Sequence, residues 1–129
     1  MKNDLIYGDL TYAIRSCLME VYNKLGPGFR EETYKKAVIE ELNIKGLSVL
    51  TEHPIQIIYR DKIIDEYRLD LIVEGKVILE IKAVAELHPR FEAQLLSYLK
   101  ASQVKIGLLV NFGSDKLFIK RLVSPYVQV

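Results

Sequence analysis

Apolar residues recur in the first part of the chain at the spacing of one helical face. Leu10, Ala13, Ile14, Cys17, Leu18, Val21, Tyr22 and Leu25 fall on a single stripe, as in an amphipathic helix packed on a core. Asp9 stands where an N-cap acceptor is expected. Gly26-Pro27-Gly28 ends this helix, because proline cannot continue the backbone ladder and glycine tolerates positive φ. The pattern predicts a second helix from near Arg30 to Lys45, burying Tyr34, Ala37, Val38, the stem of Glu41 and Leu42, and stopping at Gly46.

Beyond Gly46 the period shortens to that of strands. Ser48 to Glu52, Ile55 to Tyr59, Ile63 to Val73 and Val77 to Lys82 are β-rich pieces, separated by His53-Pro54, Asp61-Lys62 and Glu74-Gly75-Lys76, and they read as an antiparallel meander. A third helix is expected from Pro89 to Ala101, with proline suited to the first turn. Two strands, Lys105 to Val110 and Leu117 to Val123, close the pattern around Asn111-Phe-Gly-Ser-Asp. The element order is ααββββαββ, without repeat, linker or low-complexity stretch.

Composition narrows the class. In 129 residues, 50% hydrophobic and 27% charged, there is room for one core, so residues 1–129 are expected to form one domain. Intrinsic disorder, collagen and disulfide scaffolds are excluded. Eighteen basic against seventeen acidic residues leave a net charge of +1, too little for a long-range field drawing in nucleic acid or anionic membrane. A polyanionic partner must therefore be recognised locally. The lone Cys17 can form no internal disulfide, and charges break the N-terminal segment before any secretory apolar run develops; a cytoplasmic setting is expected. No apolar run reaches the ~18 positions of a membrane span, so no membrane partner is expected.

The candidate chemistry lies in Arg68-Leu-Asp-Leu-Ile-Val-Glu-Gly-Lys-Val-Ile-Leu-Glu-Ile-Lys82. Strand side chains alternate faces, which groups Leu69, Leu71 and Val73 against Asp70 and Ile72, and Val77, Leu79 and Ile81 against Ile78, Glu80 and Lys82. Matching the apolar faces pairs Val73 with Val77 and Leu71 with Leu79 across the turn Glu74-Gly75-Lys76, with glycine left-handed. That register sets Asp70 opposite Glu80, with Lys82 on the same face. Facing like charges are destabilising, so a compensating group is required. Lys82 and Arg68 could neutralise the pair on a solvated face; alternatively the two carboxylates hold a divalent cation such as Mg²⁺, which takes oxygen ligands.

Asp70 followed after nine residues by Glu80-Ile81-Lys82 on a hairpin resembles the signature of the PD-(D/E)xK nuclease superfamily. Gln94-Leu-Leu-Ser-Tyr98 is similar to the QxxxY motif of RecB-like nucleases. Gly28-Phe-Arg-Glu31-Glu-Thr-Tyr34 is similar to the motif that names the GxxExxY family within that superfamily, as are Tyr67-Arg-Leu-Asp-Leu-Ile-Val, Leu79-Glu-Ile-Lys-Ala-Val and Gly107-Leu-Leu-Val-Asn-Phe-Gly. Leu69, not proline, precedes Asp70, which leaves the ligand itself in place.

The resemblance implies an α/β, restriction-endonuclease-like core, with a mixed central β-sheet flanked by helices. It also implies a Mg²⁺- or Mn²⁺-dependent nuclease acting on nucleic acid, DNA above all. Asp70 and Glu80 would then ligate the metal, with the backbone carbonyl of Ile81 and with Glu31 completing the site. Lys82 would orient the attacking water and stabilise charge on the phosphoryl group, while Gln94 and Tyr98, one helical turn apart, would position phosphate or the lysine. An enzyme of this size is expected to grip a duplex as a homodimer or with a partner protein. The competing class is a nuclease-derived module that binds protein or nucleic acid without cutting, which the near-neutral charge favours. His53 and His88 lack zinc-like spacing and receive no role. Cys17 and Tyr34 are expected in the core and Glu32 as a first-turn acid, while Lys35, Lys36, Lys116, Lys120 and Arg121 could contact phosphates but read more simply as a solvated face.

Overall fold

The computed structural model describes residues 5–129; the first four residues of the expected domain and of the charged N-terminal segment lie outside the described residues. Helices α1 (Gly8–Leu25) and α2 (Glu31–Ile44) precede strands β1 (Val49–Tyr59), β2 (Lys62–Val73) and β3 (Val77–Lys82). Helix α3 (Arg90–Ser102) then leads to β4 (Ile106–Asn111) and β5 (Phe118–Val123). The strands form one sheet in the order β1-β2-β3-β4-β5. Only β3 and β4 are parallel; α3 makes the crossover between them. The chain is therefore α/β with a mixed sheet, as a restriction-endonuclease-like core requires.

Each face of the sheet buries a separate apolar layer. Ile14, Leu18, Val21, Tyr34, Val38 and Leu42 of α1 and α2 pack on Leu71, Val73, Leu79, Ile81, Leu108 and Val110. On the opposite face Leu95 and Leu99 of α3 meet Ile72, Ile78, Leu109 and Leu122. Cys17 is buried in the first layer, where burial pushes its thiol up. Among the described residues no helix is long and apolar enough to cross a membrane.

Three expectations require correction. The pieces Ser48 to Glu52 and Ile55 to Tyr59 are one strand, β1, so the order is ααβββαββ. Pro54 does not interrupt it because β1 is an outer strand, where a missing N–H can face the open edge. Second, α1 begins at Gly8 with Tyr7 at the cap position, and Asp9 lies inside its first turn, where an acid complements the helix dipole. Third, Leu69 does not share a face with Leu71 and Val73: it packs with Ile72 and Ile78 beneath α3. The alternation fails at Asp70, which stands across from Glu52 in β1, and Glu52 holds a left-handed backbone with φ of 52°.

Candidate functional site

The β2–β3 hairpin has the expected register, with Val73 paired to Val77 and Leu71 to Leu79. Its turn places both Glu74 and Gly75 at positive φ, with Lys76 N–H donating to the Val73 carbonyl, a mirror-image turn suited to the strand twist. The ladder stops at Leu71 and Leu79. One step on, Asp70 turns towards the neighbouring strand, and its Oδ2 accepts the Ile81 N–H at 3.0 Å. The strands fork there, with the Asp70 carboxylate partly exposed on one side and the Glu80 carboxylate buried on the other.

Glu80 is only 7% exposed, and its Oε1 is buried without a hydrogen-bond partner. Burial first, and then the Asp70 and Glu31 charges, push its carboxyl up to about 8 against the opposing pull of Lys82. Lys82 rests on an aromatic face, its Nζ 4.5 Å from the Phe91 ring centre in α3. Tyr98, one face of α3 further along, lies 5.6 Å from the Tyr67 ring; burial, then the Glu80 charge, raises its hydroxyl pKa, so it stays a neutral donor. Gln94 is exposed on α3, between Phe91 and Tyr98 at helical spacing. Ile81 is buried in β3.

Glu31 is the exposed first residue of α2, and the loop before it is built by Tyr34. The Tyr34 hydroxyl donates to the Gly26 carbonyl at 2.5 Å and accepts the Phe29 N–H at 3.1 Å. Its ring stacks on Phe112 at 4.5 Å. Gly28, at φ of 115°, supplies a backbone conformation that side chains disfavour. Glycine and tyrosine thus shape the turn that presents Glu31.

The cation beside Asp70 is neither Lys82 nor Arg68. Arg68 reaches the Glu52 carbonyl and Glu66. Lys35 of α2 takes that place: its Nζ is 3.8 Å from Asp70 Oδ1, 3.6 Å from Glu32 and 2.5 Å from Glu52. Burial alone would push the Lys35 ammonium down, but the bond to Glu52 and the charges of Asp70, Glu52 and Glu32 outweigh it and hold it above its ordinary value. Lys35 is therefore not part of a solvated face, and its side chain is 12% exposed. Arg121 likewise is tied to the Ile6 carbonyl, whereas Lys120 lies on the exposed face, as expected, in an ion pair with Glu92.

Sequence reasoning missed Lys35, Glu52, Phe91, Asn111 and Gly113. Asn111 Oδ1 accepts from Val84 N–H and Gly113 N–H, and its Nδ2 donates to the Val84 carbonyl. Gly113 passes so close that a Cβ would stand 2.3 Å from Val84 N. Together they clamp the backbone that leaves Lys82. Lys35 had one legible signal, its position a helical turn after Glu31 and Glu32; Glu52 had none, since its partner lies in another element.

A family model described as the PD-(D/E)XK nuclease superfamily matches residues 8–122. The chain belongs to this superfamily. PD-(D/E)XK proteins are typically nucleases, generally use divalent metals and take nucleic acid as substrate. No curated protein matches the chain. Among solved structures, one described as "Crystal structure of SSO0001" is similar, at 18% identity and a TM-score of 0.48 over 91% of this chain and 78% of that one.

The superfamily implies a divalent cation, and the side chains fit one. An oxygen-only pair of carboxylates, one holding a buried oxygen without a partner, is the donor chemistry of Mg²⁺, which uses one or two carboxylates and keeps several waters. Among the described residues no group of three or more His, Cys, Asp or Glu is placed to hold a metal ion.

Proposed function

We propose that this chain is a Mg²⁺- or Mn²⁺-dependent nuclease of the GxxExxY family, acting on DNA in the cytoplasm as one domain spanning residues 1–129, as a homodimer or with a partner protein. The observation that carries the reading is the buried, unpartnered Glu80 Oε1 next to Asp70 at the fork of β2 and β3, with Lys82 two residues further on. A bare scaffold gains nothing from burying such an oxygen, whose desolvation is costly.

Asp70, Glu80 and the Ile81 carbonyl are the groups that would hold the cation, and Glu31, exposed at the start of α2, would have to swing in to join them. When bound, it would polarise phosphate and lower the pKa of a coordinated water. The chain's own contributions are distinct. Lys82, held by the Phe91 face, supplies positive charge where the phosphoryl group becomes more negative. Tyr98, neutral at physiological pH, would offer a hydroxyl donor near the carboxylates, and Gln94 on the same helical face would offer a donor and an acceptor to phosphate or to Lys82.

The test is cleavage of labelled single- and double-stranded DNA and RNA with Mg²⁺ or Mn²⁺ against an EDTA control, together with Asp70→Asn, which should abolish both cleavage and the rise of melting temperature with metal. A cation bound only by the folded state adds about 2.7 kcal/mol at a hundred times its dissociation constant. Intact substrates under every condition would favour the second reading, a module that binds without cutting. The exposure of Glu31 and the presence of Lys35 at Asp70 lend that reading its support.

A further inference from the structure

Among the described residues, Glu52 is the only non-glycine residue that holds positive φ inside a strand. A left-handed backbone at a side-chain-bearing residue is strained and persists only where the surroundings enforce it. Here Arg68 holds the Glu52 carbonyl at 3.2 Å, and the Glu52 carboxylate grips Lys35. The pair is half solvent-exposed on the Glu52 side, and such pairs add little to stability, too little to account for the strain. Glu52 stands across from Asp70, and Lys35 reaches both carboxylates.

Lys35 Nζ is nearer to Glu52 than to Asp70, at 2.5 against 3.8 Å. Glu80 Oε1 receives nothing from it. The ammonium thus offsets one carboxylate of the fork incompletely and leaves the other bare. Resting on the reading of Asp70 and Glu80 as metal ligands, we infer that Lys35 is the resident counter-ion of Asp70 and that Glu52 already holds it to one side, where it keeps the ammonium from the space a divalent cation would take. Lys35 and Glu52 are then positioning residues that set how tightly the site takes its cation. The strain at Glu52 has a purpose on this view, because it aims a second carboxylate at an ammonium that must be kept clear of the cation.

The test is calorimetric titration of Ca²⁺ into the purified chain and its variants, alongside melting in EDTA. Lys35→Met should lower the melting temperature in EDTA yet tighten Ca²⁺ binding by about tenfold or more, since a positive charge within a few ångströms of a ligand repels a divalent ion. Glu52→Gln should weaken Ca²⁺ binding several-fold in the natural background and hardly at all beside Lys35→Met. Lys35→Gln, which keeps a donor without the charge, serves the same comparisons if far-UV circular dichroism shows the Met variant unfolded. Unchanged Ca²⁺ affinity in both Lys35 variants overturns the inference while the metal site stands. So does a Glu52→Gln loss of equal size in both backgrounds, the mark of a plain missing charge. If neither the natural chain nor any variant binds Ca²⁺, Mg²⁺ or Mn²⁺, the metal reading itself fails.

Discussion

Glu80 should make the metal-free protein less stable as the solution turns alkaline. Its carboxyl rises from an ordinary 4.5 to about 8 in the fold, so the folded chain holds a proton that the unfolded chain releases. The sign follows from linkage: a raised folded pKa gives stability fully present below pH 4.5, falling as pH climbs and lost once it passes about 8. At about 1.4 kcal/mol per pKa unit, the loss across that window is roughly 3–6 kcal/mol for a group this buried. Urea unfolding from pH 5 to 9 in EDTA should show that slope for the natural protein and a nearly flat line for Glu80→Gln. Contributions shared by the two proteins cancel in the difference. Saturating Mg²⁺ should erase the slope, because a bound cation favours the ionised carboxylate. Parallel curves for the two proteins in EDTA would refute the reasoning and place Glu80 in ordinary solvent contact.

Lys82→Ala loses its cation–π contact with Phe91 and its attraction to the Glu80 carboxyl, and should cost about 1 kcal/mol in urea unfolding, while single-turnover cleavage falls about 10²-fold or more. Tyr34→Phe strands the Gly26 carbonyl and the Phe29 N–H and should cost about 1–3 kcal/mol by the same denaturation measurement. Gly113→Ala forces a Cβ against the Val84 backbone and should lose roughly 2–3 kcal/mol of stability, with a melting temperature several degrees lower.

Local and periodic features were legible in the sequence. The stripe ending at Leu25, the Glu74-Gly75 turn and the Leu71–Leu79 register all follow from repeat spacing and turn chemistry, and the structure has each of them. The same reasoning set Asp70 directly opposite Glu80, but the ladder ends one step earlier, at Leu71 and Leu79, and Asp70 instead accepts the Ile81 N–H. It failed where the chain departs from period. Alternation assigns Leu69 to the wrong face because the strand turns over at Asp70, opposite a left-handed Glu52 that no propensity announces. It read Pro54 as a break because the outer position of β1 is a property of the whole sheet. The counter-ion of Asp70 was equally hidden: Lys35 comes from a helix 35 residues before it in number, and only tertiary packing brings the two together.

The Asn111 and Gly113 clamp has a mechanical consequence. It fastens Val84 to the end of β4, and Phe112 N–H adds a bond to the Lys82 carbonyl at 2.9 Å. The backbone at Lys82 is thus anchored in the sheet, whereas the platform under its ammonium, Phe91, belongs to α3. Any displacement of α3 must pivot in the segment after Val84. Such a movement would strip the aromatic cover from the lysine while leaving its Cα where it was, turning a sheltered charge into an available one without rebuilding the fork.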